Sequence, residues 1–159
     1  MSQRLNYAEM VPELTRKLTE MSMSLDKLSL SPTILALAHH RASQINGCAF
    51  CLDLDVKKAK LRGERELRVY HISVWRDSPL FTEQERAALE WTEAVTKLTD
   101  RGISDEIFES VSKHFSQKEL SELTFAIGII NTWNRLNVAF RTTPGALDAM
   151  LGLTKSGLN

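Results

Sequence analysis

The chain has 159 residues, 43% of them hydrophobic, which is enough to bury a core and is the size of one domain. Twenty basic and twenty acidic residues cancel, so no charge field points to nucleic acid or to a membrane surface. The N-terminus lacks the apolar core of a signal peptide, and no run of about 18 apolar residues is present to span a bilayer. These features point to the reducing cytoplasm, where a lone cysteine pair serves redox or metal chemistry more often than stapling.

Taken in order, Tyr7 opens an amphipathic helix to about Met23, with Met10, Leu14, Leu18 and Met21 at three- and four-residue spacing and Pro12 accommodated in its first turn. Leu25, Leu28 and Leu30 follow in a linker. Ser31-Pro32 caps a second helix to about Gln44. Asn46-Gly47 is a turn, and Ala49, Leu52, Val56 and Ala59 then recur at helical spacing until Gly63. Glu64 to Trp75 forms a short helical segment closed by Asp77-Ser78-Pro79. Thr82 and Glu85 make a capping box, opening a helix with the stripe Ala88, Trp91, Ala94 or Val95, and Leu98.

Thr99 to Gly102 breaks that helix, and Ser104 caps the next, through Ile107, Phe108, Val111 and Phe115. A second capping box, Ser116 to Glu119, starts the longest helix, which reaches about Phe140 with Leu120, Leu123, Ile127, Ile130, Asn134 and Asn137 on one side. Pro144 begins a terminal helical segment to Leu151. No alternating strand pattern of useful length occurs. The chain reads as all-α, one domain over residues 1–159, with a cysteine core at 32–63 and C-terminal helices at 82–151.

Both cysteines, Cys48 and Cys51, lie in one C-x-x-C at the start of a helix. There the unpaired backbone N–H groups and the positive end of the helix dipole favour a thiolate, and Cys48, nearer the terminus, gains most from them. Inert buried thiols are the plain alternative. A zinc site would need Asp53, Asp55 and His39 or His40 to join the cysteines, because no second C-x-x-C or H-x-x-x-H completes it. Asp53 and Asp55 otherwise read as solvated partners of Lys57, Lys58 and Arg62. Ser43 reads as a helix-end cap. Trp133, Asn134, Arg135 and Asn137 either line the cysteine pocket or serve packing and a subunit interface, and the second reading is preferred.

The run from Ser43 to Asp53, S-Q-I-N-G-C-A-F-C-L-D, resembles the AhpD-like alkylhydroperoxidases of the carboxymuconolactone decarboxylase family. Residues 73–81, 85–95 and 129–136 extend the likeness. The resemblance implies an all-helical AhpD-like fold, assembled as trimers or hexamers, and a peroxidase that needs no cofactor. In it Cys51 attacks the hydroperoxide, Cys48 resolves the sulfenic acid as a disulfide, and a thioredoxin-like or lipoyl-bearing partner reduces that disulfide.

Two positions depart from the family pattern. Its relay histidine falls at Asp55, four residues after Cys51, and its glutamate falls at Ala36, twelve before Cys48. A charged Asp55 would raise a neighbouring thiol's pKa. His39 and His40, one turn beyond Ala36, are the substitute bases expected from spacing, His40 first, because an imidazole near pKa 6.5 accepts a thiol proton and its cation favours thiolate. Two other outcomes fit the same residues: a redox sensor or binding module with weak turnover, and a carboxymuconolactone decarboxylase-type enzyme. The cysteine pair argues against the decarboxylase.

Overall fold

The computed structural model describes residues 2–158. Nine α-helices lie among them: α1 Tyr7–Met10, α2 Pro12–Ser24, α3 Pro32–Ile45, α4 Ala49–Leu61, α5 Glu66–His71, α6 Glu83–Thr96, α7 Asp105–Ser112, α8 Gln117–Phe140 and α9 Asp148–Leu151. Three 3-10 turns, Leu25–Lys27, Ile72–Asp77 and Leu153–Ser156, fill the connections. The described residues contain no strand, only an isolated bridge between Thr99 and Gly102.

Helix α3 is central, packing against α4, α6 and α8. The main core joins Ile34 and Ala38 of α3 to Ala88 and Trp91 of α6, Val111 of α7, and Leu123 and Ile127 of α8. Each Val, Leu or Ile side chain among them contributes about 1.5–3 kcal/mol when fully buried. The expected caps hold. Ser31, Thr82, Ser104 and Ser116 each accept from a backbone N–H of the first turn, and the boxes at Thr82–Glu85 and Ser116–Glu119 are reciprocal.

Four local expectations are corrected. The first helix divides at Val11, which is extended (φ −134°) because the ring of Pro12 disfavours the helical region in the residue before it. Its apolar stripe is open rather than buried: Met10, Leu14 and Met21 are exposed, and only Leu18 packs against the Leu25, Ala126 and Ile129 cluster. Helix α6 stops at Thr96, leaving Leu98 exposed beyond it. The terminal segment from Pro144 is helical only over Asp148–Leu151, because Gly145 turns the chain at φ +79°.

Candidate active site

The cysteine pair sits in the hairpin between α3 and α4. Gly47, in the left-handed region at φ +65°, lets the chain reverse, and the Cys48 N–H then donates to Ser43 O at 3.0 Å. Cys48 is the N-cap of α4 and Cys51 its third residue, so the Cys51 N–H points back at Cys48 Sγ, 3.2 Å away. The pair was expected in a first helical turn, and there it lies. The sulfurs are joined as a disulfide. Cys48 and Cys51 are buried residues, 1% and 4% exposed, among Ala42, Phe50, Ile130 and the partly buried Leu54, Trp133 and Leu147.

Two polar groups flank this apolar nest. From α8, the Asn137 amide nitrogen lies 3.7 Å from Cys51 Sγ. Along α4, Asp55 is one turn after Cys51 on the same face. Its carboxylate accepts from Ser43 Oγ at 3.3 Å, and Ser43 Oγ in turn accepts from Asn134 Nδ2 at 3.1 Å. Asn46 Nδ2 donates to both Asn134 Oδ1 and Asn131 Oδ1, and Asn131 reaches Thr96 Oγ1. A chain of side-chain hydrogen bonds therefore crosses from the cysteine hairpin through α8 to α6.

Asp55 is not a surface partner of Lys58. Burial pushes its carboxyl up to about 7, and the fields of Lys58 and Arg62 and the Ser43 bond recover only part of that cost. The ion pair on α4 is instead made by Lys57, itself only 4% exposed, with Asp53 at 2.9 Å and with Asp148 of α9. Asp53 also accepts from the Gly145 N–H at 3.1 Å, so this clasp ties the C-terminal segment, with Leu147, across the disulfide.

His39 and His40 are both held at about 4, mainly by burial, with Lys58 and Arg62 adding to the effect on His39 and Arg41 on His40. Both are neutral at pH 7, so neither supplies the expected imidazolium charge. Neither makes a hydrogen bond to a cysteine sulfur among the described residues, and His39 Nε2 is buried without a partner. Ala36 lies in a shallow groove of about 220 Å³ with Ala59 and Arg62, further along the α3–α4 seam. No three His, Cys, Asp or Glu side chains converge on a metal position among the described residues.

Asn137 lies at the cysteine pocket, the less favoured of the two readings of its sequence position, and Tyr7 is at the site with no sequence reading that placed it there. An asparagine on the apolar side of α8 is the sequence signal for Asn137, one that packing explains equally well. Tyr7, 130 residues from Asn137 in the chain, gave none.

An all-helical bundle that presents a C-x-x-C disulfide at a helix start defines the class to which this chain belongs. The sequence profile of the carboxymuconolactone decarboxylase family matches residues 12–94, and the chain belongs to that family. It is 34% identical over 139 residues to the uncharacterized protein YdfG of Bacillus subtilis (strain 168), covering 87% of this chain and 95% of that one. Among solved structures it is similar to ATU0492 from Agrobacterium tumefaciens, a protein of unknown function provisionally described as the antioxidant defence protein AhpD. Identity there is 43%, with 91% of this chain and 99% of that chain covered and a TM-score of 0.87. The fold is therefore AhpD-like. The debrominase Bmp8 shares it at 23% identity, TM-score 0.75, over 93% of this chain and 79% of that one. No helix among the described residues is long and apolar enough to cross a membrane.

Proposed function

We propose that this protein is a thiol-dependent peroxidase of the cytoplasm. The observation that carries the reading is the Cys48–Cys51 disulfide at the start of α4, beside a protonatable buried carboxyl. In the reduced protein the Cys51 thiolate attacks the terminal oxygen of a hydroperoxide. An S–O bond forms, the O–O bond breaks, and the sulfur is oxidised by two electrons while the alkoxide takes a proton and leaves as the alcohol. Cys48 then attacks the sulfenic sulfur; the S–S bond forms and hydroxide leaves with a proton as water. A dithiol of the thioredoxin or lipoyl type returns the pair to thiols by disulfide exchange.

Asp55, with a pKa near working pH, is the group proposed to take the thiol proton and give it to the leaving oxygen, with Ser43 holding its carboxylate. His39 and His40, neutral at pH 7, are secondary acceptors in this scheme. The open Met10, Leu14, Met21 and Met23 on α1 and α2 support assembly into a trimer or hexamer. A second reading, a redox sensor with slow turnover, is favoured by the burial of both sulfurs, which hinders a protein reductant.

The test is steady-state consumption of hydrogen peroxide or an alkyl hydroperoxide with excess dithiol. The wild type is expected to turn over, and both Cys51→Ser and Cys48→Ser to lose that turnover. Wild-type turnover no faster than that of the double cysteine variant refutes the peroxidase. Fast disulfide formation with negligible turnover assigns the sensor.

A further inference from the structure

The N-terminal segment is tied to the end of α8, beside Cys51. The Arg4 N–H donates to Phe140 O and the Arg4 guanidinium to Ala139 O, both at 2.9 Å, satisfying carbonyls that the last turn of a helix leaves without partners. The Tyr7 ring packs at 6.4 Å from Trp133 and 5.9 Å from Phe140, centroid to centroid. Its hydroxyl donates to Asn137 Oδ1 at 3.0 Å. Burial raises the Tyr7 pKa, so that hydroxyl stays protonated.

The Trp133 carbonyl, which can only accept, and the Tyr7 hydroxyl, which bonds the other end, together set which way the Asn137 amide faces. Asn137 is 3% exposed, and its nitrogen has two hydrogens to place. One goes to Trp133 O at 2.9 Å and the other to Cys51 Sγ at 3.7 Å. Turning the amide over would set its oxygen against the Trp133 carbonyl oxygen, which repels it, and leave the sulfur without its donor. The oxygen is therefore held by Tyr7 and the nitrogen is held toward sulfur.

We propose that Asn137 is a catalytic residue, donating a hydrogen bond that stabilises the Cys51 thiolate, and that Tyr7 is the positioning residue that aims it. The contact is weak in the disulfide, where the sulfur is neutral. It becomes charge-assisted on reduction, when Cys51 ionises. This gives Cys51 a source of thiolate stabilisation that Cys48 lacks, although Cys48 is nearer the helix terminus. Tyr7 and Asn137 both lie outside residues 12–94, the part that matches the family profile.

The other groups around Cys51 do not duplicate this effect. Asp55, on its own helix, disfavours the thiolate when ionised. His39 and His40 on α3 are neutral at pH 7. From α8 the Asn137 amide reaches the sulfur, while the Asn134 amide is taken up by Ser43 and Asn46. The C-terminal segment brings Leu147 and an Asp148 already paired with Lys57. Arg4 is spent on the carbonyl of Ala139.

The inference rests on Cys51 being the reactive sulfur, and its test does not need peroxide turnover. In a Cys48→Ser background the remaining thiol is titrated by its thiolate absorbance and by the pH dependence of iodoacetamide alkylation. Asn137→Leu is expected to raise the midpoint by about one pH unit, the scale of one lost charge-assisted bond. Asn137→Asp, isosteric but anionic, should raise it further, and Tyr7→Phe, which keeps the ring, should raise it by a smaller amount. Thermal unfolding followed in parallel separates a packing role, which would lower the melting temperature and leave the thiol midpoint in place. Midpoints unmoved in both Tyr7→Phe and Asn137→Asp overturn the proposal. A protein that shows these shifts but consumes no peroxide keeps the proposal and loses the peroxidase.

Discussion

Glu93 and Asp55 are carboxylates withdrawn from water within the same bundle, and their surroundings drive them in opposite directions. Burial raises Glu93, but the Trp75 indole, Arg76 and Arg41 outweigh it and hold the carboxyl below the usual range. Its oxygens accept from Trp75 Nε1 at 2.9 Å, Arg41 Nε at 2.8 Å and Arg76 Nη1 at 2.6 Å. Asp55 has only the Ser43 hydroxyl, and burial prevails. The difference separates structure from chemistry. A carboxylate with three donors locks α3, α6 and the 72–77 turn together and exchanges no proton near neutrality. A carboxylate with one weak donor is a proton store, and it stands one turn from the cysteine assigned to attack peroxide.

The largest effect is expected from breaking the paired member. Glu93→Gln leaves the Arg41 guanidinium, 15% exposed, without its counter-charge. A loss of about 2–3 kcal/mol in urea unfolding at pH 7 is expected, below the full cost of a deeply buried broken pair because Arg76 is half-exposed. A loss of only a few tenths would place Glu93 among ordinary surface ion pairs and end the contrast.

The smaller effect is expected at Asp55, with the opposite sign. Its folded pKa, about 7, lies above the unfolded reference of 3.8, so the folded state holds the extra proton. Stability is therefore lost as pH rises from about 4 to 7, and the cost is complete above that. The full shift would correspond to about 4 kcal/mol, but Asp55 keeps some solvent exposure, so Asp55→Asn should be more stable than the wild type by about 1–2 kcal/mol at pH 8, and equal to it near pH 4. His39 and His40 work the other way. Their folded values near 4 lie below 6.5, so their contribution is present above pH 6.5 and fades toward 4. Comparing variant and wild type at each pH cancels the histidines. An Asp55→Asn protein destabilised equally at pH 4 and pH 8 would mean that Asp55 is held as an ordinary hydrogen-bonded carboxylate.

What could be read in the sequence was local. The caps at Ser31, Thr82, Ser104 and Ser116 are side-chain bonds to backbone a few residues away, and all are present. The position of the cysteines at a helix start follows from the Asn46-Gly47 turn and the helical spacing of Ala49, Leu52, Val56 and Ala59 after it. Most of the differences have non-local or sequence-neutral causes. Lys58 after Asp55 looks like a solvated pair, and only the packing of α3 on α4 shows that the carboxyl is covered. The stripe of α2 is genuine but, among the described residues, little of it meets a partner. Asn137 meets Cys51 across 86 residues and Tyr7 across 130, and no periodicity encodes which side chain an amide will face. The break at Val11 was legible through Pro12. Proline fits the first turn of its own helix while pushing the residue before it out of the helical region, so one residue both starts α2 and ends α1.

The central claim is that Cys51 is the sulfur oxidised by peroxide, and trapping its product tests that claim most directly. Reduced Cys48→Ser and Cys51→Ser proteins are each treated with one equivalent of hydrogen peroxide and a dione probe that captures sulfenic acid, and the adduct is located by mass spectrometry. An adduct is expected on Cys51 in Cys48→Ser and little or none on Cys48 in Cys51→Ser. An adduct on Cys48 with Cys51 unreacted would contradict that claim.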